Sequence, residues 1–255
     1  MKIYVCVKHV PDTAANIKVI GESGFEESVK FVMNPYDEYA VEEAVRIVQK
    51  QGGEVVAVSV GKPNAINTVR SALAVGADRG ILIKTDGQFL DSTTTALALK
   101  TVIEQEGAPD LIFTGKQSVD SEGMQTHYRL ASKMGLPVAT DVVSFSIENN
   151  KAVVACEMGG GDREVIEMSI PCVIGATKGL NEPRYPKLPD ILKAKKKPLV
   201  ELNLAELGIE AAPASAAMTS LTQVKERGAA TMMTGSVQEM VEGLASRLEN
   251  DDKVL

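Results

Sequence analysis

The residues able to do chemistry gather in two short polar segments. The longer is Gly115-Lys116-Gln117-Ser118-Val119-Asp120-Ser121-Glu122-Gly123-Met124-Gln125-Thr126, in which most side chains donate or accept hydrogen bonds. It follows an apolar run, Leu111–Thr114, and opens a helical pattern over Glu122–Met134. The N–H groups at such a helix start attract phosphate, and the Ser121 and Thr126 hydroxyls add donors. A plain polar connection from strand to helix is the competing reading. The shorter segment is Asn34-Pro35-Tyr36-Asp37-Glu38. Asn34 suits an N-cap, Pro35 the first helical turn, and Asp37 the capping-box spacing. The Asn34 and Asp37 side chains could also bond an adenine or ribose edge; a well-capped helix explains the same spacing.

No reaction centre accompanies these segments. Neither G-x-G-x-x-G nor G-x-x-x-x-G-K-[ST] occurs in the chain. Cys6, Cys156 and Cys172 are odd in number, far apart and without a C-x-x-C pair, which suits buried small hydrophobes better than a disulfide framework or zinc site. His9 and His127 are the only histidines, too few for a histidine-rich metal site. With no Ser/His/Asp set, the chain is expected not to be an enzyme alone, catalysis being supplied elsewhere.

The elements that must position the two segments alternate between β-branched runs and helical patterns. Ile3–Val7 reads as a strand, followed by a polar excursion over Pro11–Glu27 and a helix starting near Asn34. Strand Val55–Val60, helix Asn64–Val75, strand Ile81–Lys84 and helix Asp91–Glu106 follow, with Asp91 as N-cap. Val- and Ile-rich strands separated by helices predict a doubly wound α/β fold with a mainly parallel sheet covered on both faces. After Gly135 the pattern changes. Val142–Ile147 and Ala152–Cys156 flank Asn149-Asn150 and predict a hairpin; Val165–Ile174 predicts a further strand. The sheet is therefore expected to carry extra antiparallel strands.

Composition shifts at Lys193-Ala194-Lys195-Lys196-Lys197-Pro198. We accordingly expect a nucleotide-binding α/β domain over 1–192 and an extended C-terminal arm over 193–255. The arm ends in a helix capped by Ser236 and Glu239, with Val237, Met240, Val241, Leu244 and Leu248 along one face. That face can fold back on its own domain or pack on a partner subunit.

The chain has 255 residues, 44% hydrophobic and 24% charged, within the globular range. Its formal charge of −7 argues against a duplex nucleic-acid binder. No apolar run approaches the roughly 18 residues of a membrane span, and the N-terminal run lacks a signal peptide's long core, so a cytoplasmic location is expected.

Several motifs resemble β subunits of electron transfer flavoproteins. They are Val7-Lys8, the run Asn34-Pro35-Tyr36-Asp37-Glu38-Tyr39-Ala40-Val41-Glu42-Glu43-Ala44, Ala72-Leu73-Ala74-Val75-Gly76-Ala77-Asp78-Arg79 and Gly115-Lys116-Gln117. Leu180-Asn181-Glu182-Pro183-Arg184-Tyr185, Leu188-Pro189 and Lys193–Lys197 continue the likeness, in consistent order over residues 1 to about 200. The resemblance implies a fold like the adenine-nucleotide α-hydrolases. It implies an obligate heterodimer whose α subunit holds most of the redox-active FAD, with a structural AMP in β. Family contacts to that AMP fall on Cys6, Asn34, Pro35, Tyr36, Asp37, Val60 and the loop Gly115 to Thr126, several through the backbone.

The loop departs from a frequent family form at Ser121-Glu122-Gly123-Met124, where Asp or Asn is commoner. Thr13 replaces an aromatic near the flavin, Tyr36 keeps another, and Cys156 stands before Glu157 where a basic residue is common. The resemblance further implies that electrons come from acyl-CoA-type dehydrogenases and go to a quinone oxidoreductase. The docking segment would hold Glu182 and Arg184, with Leu188 as its anchor. Electron-bifurcating relatives instead carry a second FAD in β and an NADH site, and tend to have Gln-Val-Gly-Pro where this chain has the bulkier Gln125-Thr126-His127-Tyr128. AMP is the expectation here. A reading from another class is a free-standing adenine-nucleotide sensor or hydrolase.

Overall fold

The computed structural model describes residues 1–87, 89–209, 214–224, 228–251 and 253–254. It divides into two compact units, Met1–Leu221 and Thr222–Leu255.

In the first unit, β1 (Lys2–Cys6) leads into an excursion with four short strands: β2 (His9–Pro11), β3 (Val19–Ile20), β4 (Gly24–Phe25) and β5 (Phe31–Met33). The first pairs with the last and the middle two with each other, so the polar stretch is a pair of antiparallel ribbons. Then come α1 (Pro35–Gln51), β6 (Glu54–Gly61), α2 (Ile66–Val75), β7 (Arg79–Lys84), α3 (Ser92–Glu106), β8 (Leu111–Gly115) and α4 (Thr126–Met134). The hairpin β9 (Val138–Glu148) and β10 (Lys151–Gly159) precedes β11 (Asp162–Ser169), β12 (Cys172–Ala176), α5 (Leu188–Ala194) and β13 (Leu199–Asn203).

The main sheet has nine strands in the order β11-β10-β9-β12-β8-β1-β6-β7-β13. Its centre is parallel, and the β9-β10-β11 end is antiparallel. Side-chain alternation explains why both faces are dry. Ile3, Val5, Val55, Ala57 and Phe113 enter the core under α1 and α2; Tyr4, Val56, Val58 and Ile112 enter the other, with Ala98, Leu99 and Val102 of α3. Asp91 caps α3 as expected, accepting from Thr93 N at 2.9 Å and Thr94 N at 3.3 Å. Asn149 and Asn150, at φ 49° and 62°, make the two-residue turn between β9 and β10 that the asparagines predicted.

Two expectations change. The run Val165–Ile174 is not one strand. It breaks at Ile170-Pro171, β11 continuing the antiparallel edge and β12 returning between β8 and β9. Proline has no N–H for a ladder, which separates the two pieces. The helix expected from Glu122 begins at Thr126, because Glu122 and Met124 take left-handed backbone at φ 47° and 49° and hold residues 122–125 as loop.

The composition shift at Lys193 falls inside the first unit. β13 extends the sheet beside β7, and Ser215 Oγ donates to Asp91 at 2.9 Å. In the second unit α6 (Val237–Asn250) starts with the expected capping box: Glu239 N donates to Ser236 Oγ at 3.3 Å, and Ser236 N to Glu239 at 2.7 Å. Val237, Val241 and Leu244 of α6 are exposed. No described helix is long and apolar enough to cross a membrane.

Candidate functional site

After β1 the chain builds β6 and β7 on one side; β8 and β12 then fill the other. The reversal between β1 and β8 is where an open α/β sheet leaves a crevice outside its carboxyl ends. Cys6 ends β1, Gly115 ends β8, and Val60 stands near the end of β6. The sequence-selected residues therefore meet at one edge of the sheet, although they come from four separate stretches.

Their joint is Asp37, in the first turn of α1. The residue is 5% exposed, and its carboxylate accepts from Lys8 N at 2.7 Å, Gly115 N at 3.0 Å and Asn34 Nδ2 at 2.8 Å. Burial pushes its pKa up to about 7, against these donors and the Lys8 ammonium, all of which favour the anion. Gly115 is required by this approach: a Cβ there would lie 2.4 Å from Asp37 Oδ1 and 2.7 Å from Tyr36 Cβ.

Asn34 flanks α1 but gives its N-terminus no side-chain bond, so the capping role expected of it is corrected. Its amide donates to Gln117 O at 2.8 Å and its Oδ1 accepts from Val119 N at 3.1 Å. These side chains fasten the long loop to α1. Their polar atoms are engaged within the chain.

Lys8 Nζ grips the loop from below, 2.7 Å from Asp120, 3.2 Å from Ser118 Oγ and 3.4 Å from Ser121 Oγ. Lys116 lies 5.4 Å from the Tyr36 ring centroid and pairs with Asp141 at 2.7 Å. Residues 120–125 are exposed, and no side chain caps the N-terminus of α4. The uncapped N–H groups at the start of α4 fit an anionic ligand group. Cys6 contributes packing, since burial pushes its thiol up to about 12.

The sequence reading missed His127. It is 2% exposed, its Nε2 has no partner, and burial lowers its pKa to about 4. Its ring lies tilted at 38° to that of Tyr128, with centroids 4.3 Å apart.

The second cluster lies along segment 178–187 and α5. Tyr185 is 95% exposed, Leu188 70% and Leu192 53%. Glu182 is exposed, but Arg184 turns inward to Glu42, with Nε at 2.7 Å and Nη2 at 3.1 Å. The basic run is also split. Lys197 Nζ donates to Leu73 O at 3.0 Å and Ala77 O at 2.6 Å, closing the end of α2, while Lys193, Lys195 and Lys196 face water.

Fold and crevice together define a doubly wound α/β protein with its loops gathered at the switch point. A family profile described as the electron transfer flavoprotein domain matches residues 24–207. A protein of Bradyrhizobium diazoefficiens named electron transfer flavoprotein subunit beta is 40% identical over 100% of both chains. The mitochondrial β subunit of Arabidopsis thaliana is 39% identical over 96% of this chain and 97% of its own length. Acetobacterium woodii supplies a third relative, the caffeyl-CoA reductase-Etf complex subunit CarD, 34% identical over 98% of each. The chain belongs to the electron transfer flavoprotein family and aligns with its β subunits over its full length.

Proposed function

We propose that the chain is the AMP-holding β subunit of a heterodimeric electron carrier, taking electrons from acyl-CoA-type dehydrogenases and passing them towards a quinone oxidoreductase. The observation carrying this reading is the switch-point loop, fastened by Asn34 and Asp37 and leaving the start of α4 uncapped. Residues 120–126 would hold the phosphate through backbone N–H groups and the Ser121 hydroxyl, with Cys6 and Val60 walling the crevice. An α subunit holds FAD, which supplies the one- and two-electron chemistry. The exposed apolar face of α6 supports packing on that subunit. Leu188 supports docking of the dehydrogenase, with Glu182 beside it and Arg184 acting from behind.

The second reading, a bifurcating carrier with another FAD in place of AMP and an NADH site, draws on the Acetobacterium woodii relative. Space argues for AMP: His127 is buried directly after Thr126, its ring against that of Tyr128, filling the start of α4. Denaturing the purified heterodimer and quantifying released nucleotides decides between them. One AMP and one FAD per heterodimer are expected. Two FAD and no AMP would establish the bifurcating reading instead.

A further inference from the structure

Segment 178–187 has neither helix nor strand, yet it is bolted to α1 by residues about 140 positions earlier in the chain. Glu42 is 1% exposed. It accepts from the Arg184 side chain, from Arg184 N at 3.3 Å and from Arg46 Nε at 2.5 Å. Arg46 Nη2 reaches on to the Glu182 carbonyl at 3.0 Å. Asn181 Nδ2 adds bonds to Tyr39 O and Glu43 Oε2, each at 3.0 Å. Backbone or side chain is thus held at Asn181, Glu182 and Arg184.

A buried carboxylate is a costly way to cover a helix face. Apolar groups of similar volume do this at least as well, and Val41, Ala44 and Val45 beside Glu42 are apolar. What paired guanidinium forks add is geometry, because their planar donors fix direction as well as distance. The element they direct begins immediately afterwards, with Tyr185 at 95% exposure and Leu188 at 70%.

We propose that Glu42 is a positioning residue for partner docking, presetting the path of residues 181–187 so that Tyr185 and Leu188 project as an ordered apolar pair towards the redox partner. The inference rests on the docking role given to Leu188 under Proposed function. Order set in advance spares the partner the entropy of ordering the segment, so it strengthens encounter and leaves the electron step alone.

The test uses the flavin-loaded heterodimer reduced by an acyl-CoA dehydrogenase at varied carrier concentration. Glu42→Gln should raise KM about 3–10-fold, the scale of ordering one or two side chains, with kcat unchanged. Amide hydrogen exchange should quicken over 180–187 but not in the α1 interior. Arg184→Gln, which leaves Glu42 paired with Arg46, should do the same and serves if Glu42→Gln folds poorly. Combined with Leu188→Ala, Glu42→Gln should raise KM by less than the product of the single effects, since both act through one surface. If Leu188→Ala raises KM while Glu42→Gln and Arg184→Gln leave it unchanged, or the effects simply multiply, the positioning role is overturned and the docking role stands. A KM untouched by Leu188→Ala sinks the docking role and this inference with it.

Discussion

Asp37 and Glu42 lie five positions apart on α1, both buried, and each fastens a segment without regular structure to the helix. Their acidities move in opposite directions. At Asp37 the partners are mainly neutral N–H donors, with a Lys8 ammonium contributing only at longer range, and desolvation wins: the carboxyl is pushed up to about 7. At Glu42 burial acts the same way but two guanidiniums overcome it, holding the carboxyl below its ordinary value. Dipoles close the switch-point crevice; full charges hold the segment behind the exposed leucine. The first joint is sensitive to shape and to neutral pH. The second tolerates neutral pH and weakens as pH falls from the unfolded pKa of Glu42 through its lowered folded one, because a lowered pKa contributes stability above its unfolded value and loses it as pH falls.

The largest effect should come from breaking the dipolar joint by shape. Gly115→Ala puts a methyl 2.4 Å from Asp37 Oδ1, so β8 and α1 must part. Overpacking together with the loss of buried hydrogen bonds predicts about 3–5 kcal/mol of destabilisation. Urea denaturation of the heterodimer at fixed protein concentration measures it, and under the proposed function bound AMP should fall in parallel. A loss below about 1 kcal/mol would mean the crevice yields freely and the joint is not tight.

A pH series sharpens the contrast through His127, the buried histidine of α4. Its pKa is lowered from 6.5 to about 4, so the folded state binds fewer protons in that window. Its contribution is present above pH 6.5 and lost as pH falls towards 4, on the order of 3 kcal/mol in all. Asp37 works with the opposite sign: its contribution is greatest at acid pH and lost as pH rises from about 4 to 7. In the wild type the two slopes oppose. Relative to wild type, His127→Gln should therefore gain stability as pH falls, and Asp37→Asn should gain as pH rises. Difference curves sloping the same way would refute the assignment of one or both groups.

How much of this was legible in the chain follows from distance along it. The parallel core showed itself because β-branched runs such as Val55–Val60 and capped helices such as the one after Asp91 are local patterns. The polar loop 115–126 was visible for the same reason. The start of α4 was misplaced, since Glu122 and Met124 adopt left-handed backbone that their residue types do not announce. Asn34 reads locally as a cap, and only its place opposite Gln117 and Val119, more than 80 residues on, turns it into a clamp. Glu42 and Arg184 carry no mutual signal at all across 142 positions. His127 gives none either, because a histidine after a polar loop does not reveal that its ring will be enclosed.

The smallest effect on stability is expected at Leu188, and its smallness is informative. The side chain is 70% exposed at the first position of α5, with Pro189 following and Lys187 before it. Truncation to alanine removes little buried area, so stability should change by no more than about 0.5 kcal/mol. A leucine completing the core would instead cost about 2–5 kcal/mol. Exposed Lys193, Lys195 and Lys196 lie along the same stretch and favour encounter with an acidic surface, an attraction that salt screens. Under the docking role proposed for it, Leu188→Ala should leave that salt dependence in place, because the charges remain, while electron transfer from the dehydrogenase weakens through faster dissociation. Stopped-flow flavin reduction at several ionic strengths separates the two contributions. Unchanged transfer together with a several-degree fall in melting temperature would make Leu188 part of the core. The contrast between an inner joint built for closure and an outer one built for display would then fail at its outer end.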